Sequence, residues 1–211
     1  AAGLTGYPNV SWCEDHKPET IETNVVFQLT LVKICNDLGI HLTIVGSGGI
    51  FKGKDVRFDT DQGDYFDTFY SECRIYLENM IRNYDNILYL RVNYPLSSDD
   101  NPKNLLVKLS KWDKICDSEM SITCLDSLVP LLSSIVENKE VGVLNFVNPG
   151  TINLIDIKKM YNKAHNIDND FSVTENKDRP CPILDTKKIQ KYDPECIQYA
   201  ILTALNIDIS S

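Results

Sequence analysis

Apolar side chains at Ile21, Val25, Val26, Leu29, Val32 and Leu38 recur at helical spacing and predict a helix over Pro18–Leu38 with a broad apolar face. Glu19 and Glu22 fall in its first turns, where the helix dipole favours negative charge, and Gly39 supplies the stop. The β-branched run Ile40–Val45 then reads as a strand, ending in Gly46-Ser47-Gly48-Gly49. A polar loop of about twenty residues follows; loops of that length inside compact domains are usually functional or mobile. Helical patterning returns over Thr68–Tyr84, and Asn86–Val92 reads as a buried strand. Asn101–Trp112 predicts a short amphipathic helix, and Leu125–Glu137 another, with Pro130 early within it. Val141–Val147 reads as a strand, Ile155–His165 as a helix, Phe171–Thr174 as a weak strand, and Thr186–Tyr192 and Pro194–Leu205 as helices.

Strands separated by helices of this length imply parallel β-α-β units. The expected fold is therefore α/β, a Rossmann-like doubly wound parallel sheet with both faces covered. We find no linker or repeat and expect a single domain over 1–211, with 1–112 as Rossmann core. Residues 113–211 mix core segments with a small C-terminal lobe that closes over one edge. In such folds ligands bind beyond the C-terminal strand ends. The segments to search are then Ala1–Gly6, Gly46–Gly49 and Asn93–Ser97.

Composition narrows the function. The 211 residues are 43% hydrophobic and carry a net charge of −9, which excludes a disordered chain and disfavours nucleic acid, whose phosphates would be repelled. No run approaches the roughly 18 apolar residues of a membrane span. The seven cysteines are an odd number, scattered without a C-x-x-C pair, and the three His are equally dispersed. We read reduced thiols, a cytoplasmic location and no structural metal site. The chain opens without Met on Ala1-Ala2-Gly3-Leu4-Thr5-Gly6, and a preceding segment is the simplest expectation.

Ser47 follows a strand directly, with glycines at 46 and 48 leaving its hydroxyl in the open. Tyr70 and Arg74, four apart, share one helix face. A cation beside a phenol stabilises phenolate, and with a hydroxyl to orient a carbonyl such a set can protonate an oxyanion as hydride reaches carbon. The plainer alternative is a packing tyrosine and a solvated arginine.

The segment Ala1-Ala2-Gly3-x-Thr5-Gly6-x-Pro8-Asn9-Val10-x-Trp12-Cys13-Glu14-x-His16-Lys17 resembles the nucleotide-rhamnose synthases. These are 3,5-epimerase/4-reductase enzymes of the extended short-chain dehydrogenase/reductases, akin to dTDP-4-dehydrorhamnose reductases. The resemblance continues through Glu22-Thr23-Asn24-Val25, Ile50-Phe51, Phe69-Tyr70-Ser71, Leu90-Arg91-Val92, Asn101-Pro102-x-Asn104, Asn145-Phe146-x-Asn148-Pro149-Gly150 and Leu184-Asp185-x-Lys187. It implies an NADP- or NAD-dependent reductase of a nucleotide-linked 4-keto-6-deoxyhexose. Ser47 then matches the carbonyl-orienting hydroxyl and Tyr70 the proton donor, while Arg74 stands where the family has Lys. Ala2 and Gly3 match the turn beneath the adenosine half of the cofactor, and Pro95 the residue beside the nicotinamide. Asn24 matches a structural Asn, Asn104 and Arg179 match nucleotide-sugar contacts, and Lys108 matches the lysine of the epimerase step.

Three departures shape the expectation. Arg74 keeps the positive field but cannot release a proton, so reduction should be weakened or lost. Gly49 stands where the family has its epimerase cysteine, so epimerisation by that mechanism is not expected. Phe27 replaces a glycine and should crowd the helix against the sheet. The family's Gly-rich phosphate turn is absent, because Gly46-x-Gly48-Gly49 ends a later strand with different spacing. The sheet should therefore have an open edge, covered by further chain, a second copy or a partner. The alternative function is a catalytically degenerate homologue serving structure or assembly.

Overall fold

A computed structural model describes residues 3, 6, 9–168, 170–175 and 181–207. Helix α1 (Trp12–Asp15) leads into α2 (Lys17–Ile21), a π-helical turn (Glu22–Val26) and α3 (Phe27–Asp37), all nearly continuous. Strand β1 (Leu42–Ser47), the short β2 (Val56–Arg57), helix α4 (Phe69–Ile81), strand β3 (Ile87–Val92) and helix α5 (Leu105–Lys111) follow. Strands β4 (Lys114–Asp117) and β5 (Glu119–Met120) precede α6 (Leu125–Leu128), a 3-10 turn (Val129–Leu131) and α7 (Leu132–Glu137). Then come β6 (Gly142–Asn145), β7 (Ile152–Asn153), α8 (Leu154–Ala164), β8 (Ser172–Glu175), β9 (Ile183–Leu184), a 3-10 turn (Ile189–Tyr192) and α9 (Ile197–Ala204).

The parallel sheet β1-β3-β6 pairs Leu42 with Ile87 and Arg91 with Asn145. β3 is central and buried on both faces. Ile87 and Tyr89 pack toward α3 and α4 with Val32, Leu77 and Ile81, while Leu88 and Leu90 meet Leu128, Ile135 and Phe146. Each such aliphatic side chain removed from water contributes about 1.5–3 kcal/mol. The expected α/β Rossmann-like sheet is present, and the largest apolar cluster, from Leu96 to Leu205, fills the C-terminal part. Two-strand pairs β2–β9, β4–β8 and β5–β7 tie the loops to that part.

The sheet edges are treated differently. The carbonyls of Val141, just before β6, and of Val143, within it, accept from Lys188 Nζ at 2.9 Å each, and the Asn145 amide donates to the Asp59 carboxylate. Charges turned inward in this way block further pairing. On β1, Leu42 and Gly48 amides bond toward β3, so the alternate residues 43, 45 and 47 face the other edge. No strand among the described residues pairs there.

The helix over 17–37 corrects two expectations. Its fully buried side is Thr20, Asn24, Gln28 and Val32, a mostly polar stripe, while Ile21, Val26, Phe27, Ile34 and Leu38 are exposed. Phe27 points away and does not crowd the sheet. The helix expected over 101–112 starts only at Leu105, because the Asn101 and Asn104 carbonyl side chains accept backbone amides in local turns. Pro130 splits 125–137 into two helical pieces joined by a 3-10 turn.

The long polar loop is pinned. Arg91, fully buried in β3, grips Glu78 through Nε (3.0 Å) and Nη2 (2.6 Å) and donates to the Phe58 and Asp61 carbonyls at 2.9 and 2.5 Å. Its guanidinium also lies 4.8 Å from the centre of the Phe51 ring. Arg82 joins the same Glu78 carboxylate and gathers the carbonyls of residues 59–61.

Candidate active site

α4 begins where a hydroxyl and a carboxylate can satisfy its first amides. Thr68 is the N-cap, accepting from the Ser71 amide at 3.2 Å, and Glu14 of α1 accepts from the Phe69 amide at 2.8 Å. Ser71 Oγ donates to the Gly49 carbonyl at 3.2 Å, which docks the first turn of α4 on the turn that follows Ser47. Tyr70 is thereby held at the C-terminal end of β1.

One turn on, Arg74 is 2% exposed. Its Nε donates to Tyr70 Oη at 3.2 Å and its Nη2 to the edge-facing Val45 carbonyl at 3.1 Å. Nη1 is buried without a hydrogen-bond acceptor among the described residues. Burial disfavours the charged guanidinium, but the Tyr70 and Tyr89 phenols more than offset it and leave its pKa above the ordinary arginine value. Gly3 closes this corner: a Cβ there would fall 2.1 Å from Asn24 Oδ1 and 2.7 Å from Arg74 Nη2. Only glycine lets the backbone pass so close to Asn24 and Arg74. Asn24 sits in the π-helical turn, a local distortion that often marks functional segments.

Ser47 ends β1, and its Oγ accepts the Gly49 amide at 3.2 Å, leaving the hydroxyl proton to point elsewhere. A side chain at Gly49 would meet Ser47 Oγ at 3.5 Å, an ordinary contact, so position 49 looks onto the same hydroxyl. Beyond β3, Tyr94 takes a left-handed backbone (φ 41°) immediately before the exposed Pro95. Strain of that kind concentrates at ligand clamps.

The remaining expected residues divide. Asn104 accepts the Leu106 and Ser97 amides and donates to the Ser97 and Asp99 carbonyls at 2.7 and 2.6 Å. Its amide makes four hydrogen bonds within this segment and so shapes the 97–104 loop. Lys108 is half-buried on α5, and burial, aided by Lys103, lowers its pKa. Ala2 and Arg179 lie outside the described residues. A cavity of about 400 Å³ lined by Phe58, Asp59, Thr60, Asp185, Lys187 and Lys188 lies along the β6 edge, across the sheet from Tyr70. Among the described residues, no His, Cys, Asp and Glu are grouped to hold a metal ion, and no helix is long and apolar enough to cross a membrane.

Sequence reasoning missed Glu14 and Ser71 as the groups that seat α4, and Tyr89 beside Arg74. A glycine directly before Ser47 was the available signal for Tyr89, since glycine within a strand often marks a close approach.

A parallel α/β sheet with a serine at one strand end and a Tyr-x-x-x-cation pair docked on it defines a Rossmann-like dehydrogenase/reductase fold. No protein-family model matches the chain. The bifunctional dTDP-4-dehydrorhamnose 3,5-epimerase/dTDP-4-dehydrorhamnose reductase of Arabidopsis thaliana is 39% identical over 170 residues, 76% of this chain and 56% of that protein. The crystal structure of the L780 UDP-rhamnose synthase from Acanthamoeba polyphaga mimivirus matches with a TM-score of 0.90 at 25% identity, covering 97% of this chain and 78% of that one. A dTDP-4-dehydrorhamnose reductase from Bacillus anthracis in complex with NADP shares the fold, with a TM-score of 0.80 at 10% identity over 97% of this chain and 78% of that one. The chain is thus a homologue of nucleotide-rhamnose synthases and 4-dehydrorhamnose reductases. It spans between 25% and 56% of the length of its curated plant relatives.

Proposed function

We propose that this chain carries the catalytic residues of a reductase that converts a nucleotide-linked 4-keto-6-deoxyhexose to the 4-hydroxy sugar, with NADPH or NADH as reductant. The observation that carries the proposal is the buried Tyr70–Arg74 pair, Oη to Nε 3.2 Å, docked on the strand end that bears Ser47. Ser47, whose Oγ already accepts the Gly49 amide, directs its proton at the carbonyl oxygen and orients it. Tyr70 donates its phenolic proton to that oxygen as negative charge develops. Arg74 stabilises the phenolate left behind but has no proton to pass on, so the phenol is reprotonated from solvent.

The cofactor supplies a hydride when bound. The residues suited to hold it are Gly3, Tyr70, Arg74 and Pro95, with Ala2 by resemblance and Asn24 as the structural residue behind Gly3. Two observations support the fit: a buried guanidinium nitrogen without an acceptor among the described residues, and a glycine whose Cβ would collide with its neighbours. Lys108 without a thiol at position 49 leaves the 3,5-epimerisation outside this proposal, and Asn104 and Arg179 stand toward the nucleotide-sugar, Asn104 through its loop. We place the protein in the cytoplasm and keep the division of the single domain into 1–112 and 113–211.

NADH or NADPH oxidation on adding UDP- or dTDP-4-keto-6-deoxyhexose, lost in Tyr70→Phe, is the expected result. Equal rates in the two proteins overturn the assignment of Tyr70.

A second reading, a structural or assembly homologue, is favoured by the exposed Ile21, Val26, Phe27, Ile34 and Leu38 and by a β1 edge that no strand among the described residues pairs. It expects a homo-oligomer or a fixed partner on light scattering, and no cofactor binding by calorimetry. Tight NADPH binding would count against it.

A further inference from the structure

Tyr89 stands in the central strand with its ring over Gly46. A Cβ at Gly46 would lie 2.1 Å from Tyr89 Cε1 and 2.7 Å from its hydroxyl oxygen. No residue but glycine leaves room for this phenol. Gly46 falls between Val45, whose carbonyl receives Arg74 Nη2 at 3.1 Å, and Ser47. The hydroxyl end of Tyr89 thus reaches the strand end where the guanidinium is anchored. The residue is 1% exposed, and its hydroxyl has no hydrogen-bond partner among the described residues.

A tyrosine hydroxyl buried in that way costs stability unless a charge or dipole nearby repays it. Arg74 is such a charge, itself 2% exposed and with Nη1 lacking an acceptor. Burial pushes the Tyr89 phenol well above its ordinary range, and Arg74 pulls it back. The phenol stays protonated, so it offers a fixed dipole rather than a titrating group. Glu78 and Arg91 act on the same phenol with opposite sign, from α4 and from two positions along β3.

We propose that Tyr89 is a positioning residue for Arg74: seated in the space left by Gly46, next to the Val45 carbonyl that anchors Nη2, its phenol helps confine the guanidinium that Tyr70 Oη and Val45 already hold. A lysine ammonium is a compact point charge, whereas a guanidinium is a planar fork that must be held in orientation to face one phenol. Tyr89 and Gly46 together suit the site to arginine. The inference rests on the reductase reading for its catalytic consequence, and for the confinement on the place of the Tyr89 ring over Gly46 beside the Val45 anchor of Arg74.

The test is Tyr89→Phe, which keeps the ring and its packing and removes only the hydroxyl, made with Arg74 intact and in an Arg74→Lys background. With Arg74 intact, kcat is expected to fall about tenfold with KM nearly unchanged; in the Arg74→Lys background, the same change should alter kcat less than about twofold. An independent readout is hydrogen exchange at Arg74 Nε by nitrogen-15 NMR, expected to quicken about tenfold in Tyr89→Phe. Unchanged Nε exchange together with a kcat within about twofold of wild type, and a higher melting temperature from losing an idle buried hydroxyl, overturns the proposal. Quickened exchange in a protein that never reduces the sugar supports the confinement and overturns the reductase reading instead.

Discussion

Glu78→Gln isolates the charge network beneath the long loop. The Glu78 carboxylate is 1% exposed and accepts Arg91 Nη2 at 2.6 Å, while the Arg91 side chain is 0% exposed. Glutamine keeps the shape and one acceptor but removes the carboxylate that is ion-paired with Arg91 and Arg82, and its amide nitrogen turns a donor toward a donor. Breaking one partner of such a buried pair costs about 3–5 kcal/mol, and no solvent screening reduces that here. For a chain of this size the melting temperature should drop by roughly 10 °C. Because Arg91 also holds the Phe58 and Asp61 carbonyls, amide exchange across 57–61 should accelerate in the same variant. Urea titration followed by circular dichroism gives the magnitude. A loss under about 1 kcal/mol would refute the argument that this pair is an uncompensated buried charge once broken. Glu78→Leu with Arg91→Met removes both fully buried charges and leaves Arg82, 18% exposed, to the carbonyls of residues 59–61, so at least half of the lost stability should return.

Asn104→Ala removes the cap of α5 and the anchor of the 97–104 loop, and chemical denaturation should register a loss of about 1–2 kcal/mol. Glu140 is desolvated, which raises its carboxyl pKa, but Lys191, Lys188 and Tyr192 outweigh this and hold it below the ordinary value of 4.5. That stabilisation is present above pH 4.5 and is lost as pH falls through the lowered folded-state value, so acid melting curves of Glu140→Gln should be flatter than wild type below pH 4.5. With glycine at 49, the protein should exchange no solvent deuterium into C3 or C5 of the keto sugar during reduction, as read by mass spectrometry. Incorporation by the wild type would show that Lys108 moves those protons without a thiol.

The alternation of helices with apolar strands carried the fold, because β3 is apolar at nearly every position and could only be a strand buried on both faces. What escaped was set by tertiary context. The apolar spacing of the helix over 17–37 was real, yet Thr20, Asn24 and Gln28 are buried: Asn24 meets the polar corner of Gly3 and Arg74, while Thr20 and Gln28 bond carbonyls of their own helix segment. Strands of two to four residues such as β2, β5 and β9 have no measurable period, being defined by their partners alone. At the site, Ser47, Tyr70 and Arg74 were legible from spacing and resemblance. The contact of Arg74 with Val45, the saturation of Asn104 and the burial of Arg91 were not, since each depends on residues distant in sequence.

The central claim is that this chain delivers a proton from Tyr70 as hydride reaches the sugar ketone. Its most direct test follows deuteride from C4-deuterated NADPH into the nucleotide-sugar product by mass spectrometry. Wild type should yield a 4-hydroxy sugar one mass unit heavier, and Tyr70→Phe should yield none. Equal label in both products, or label in neither despite bound cofactor, would contradict the account.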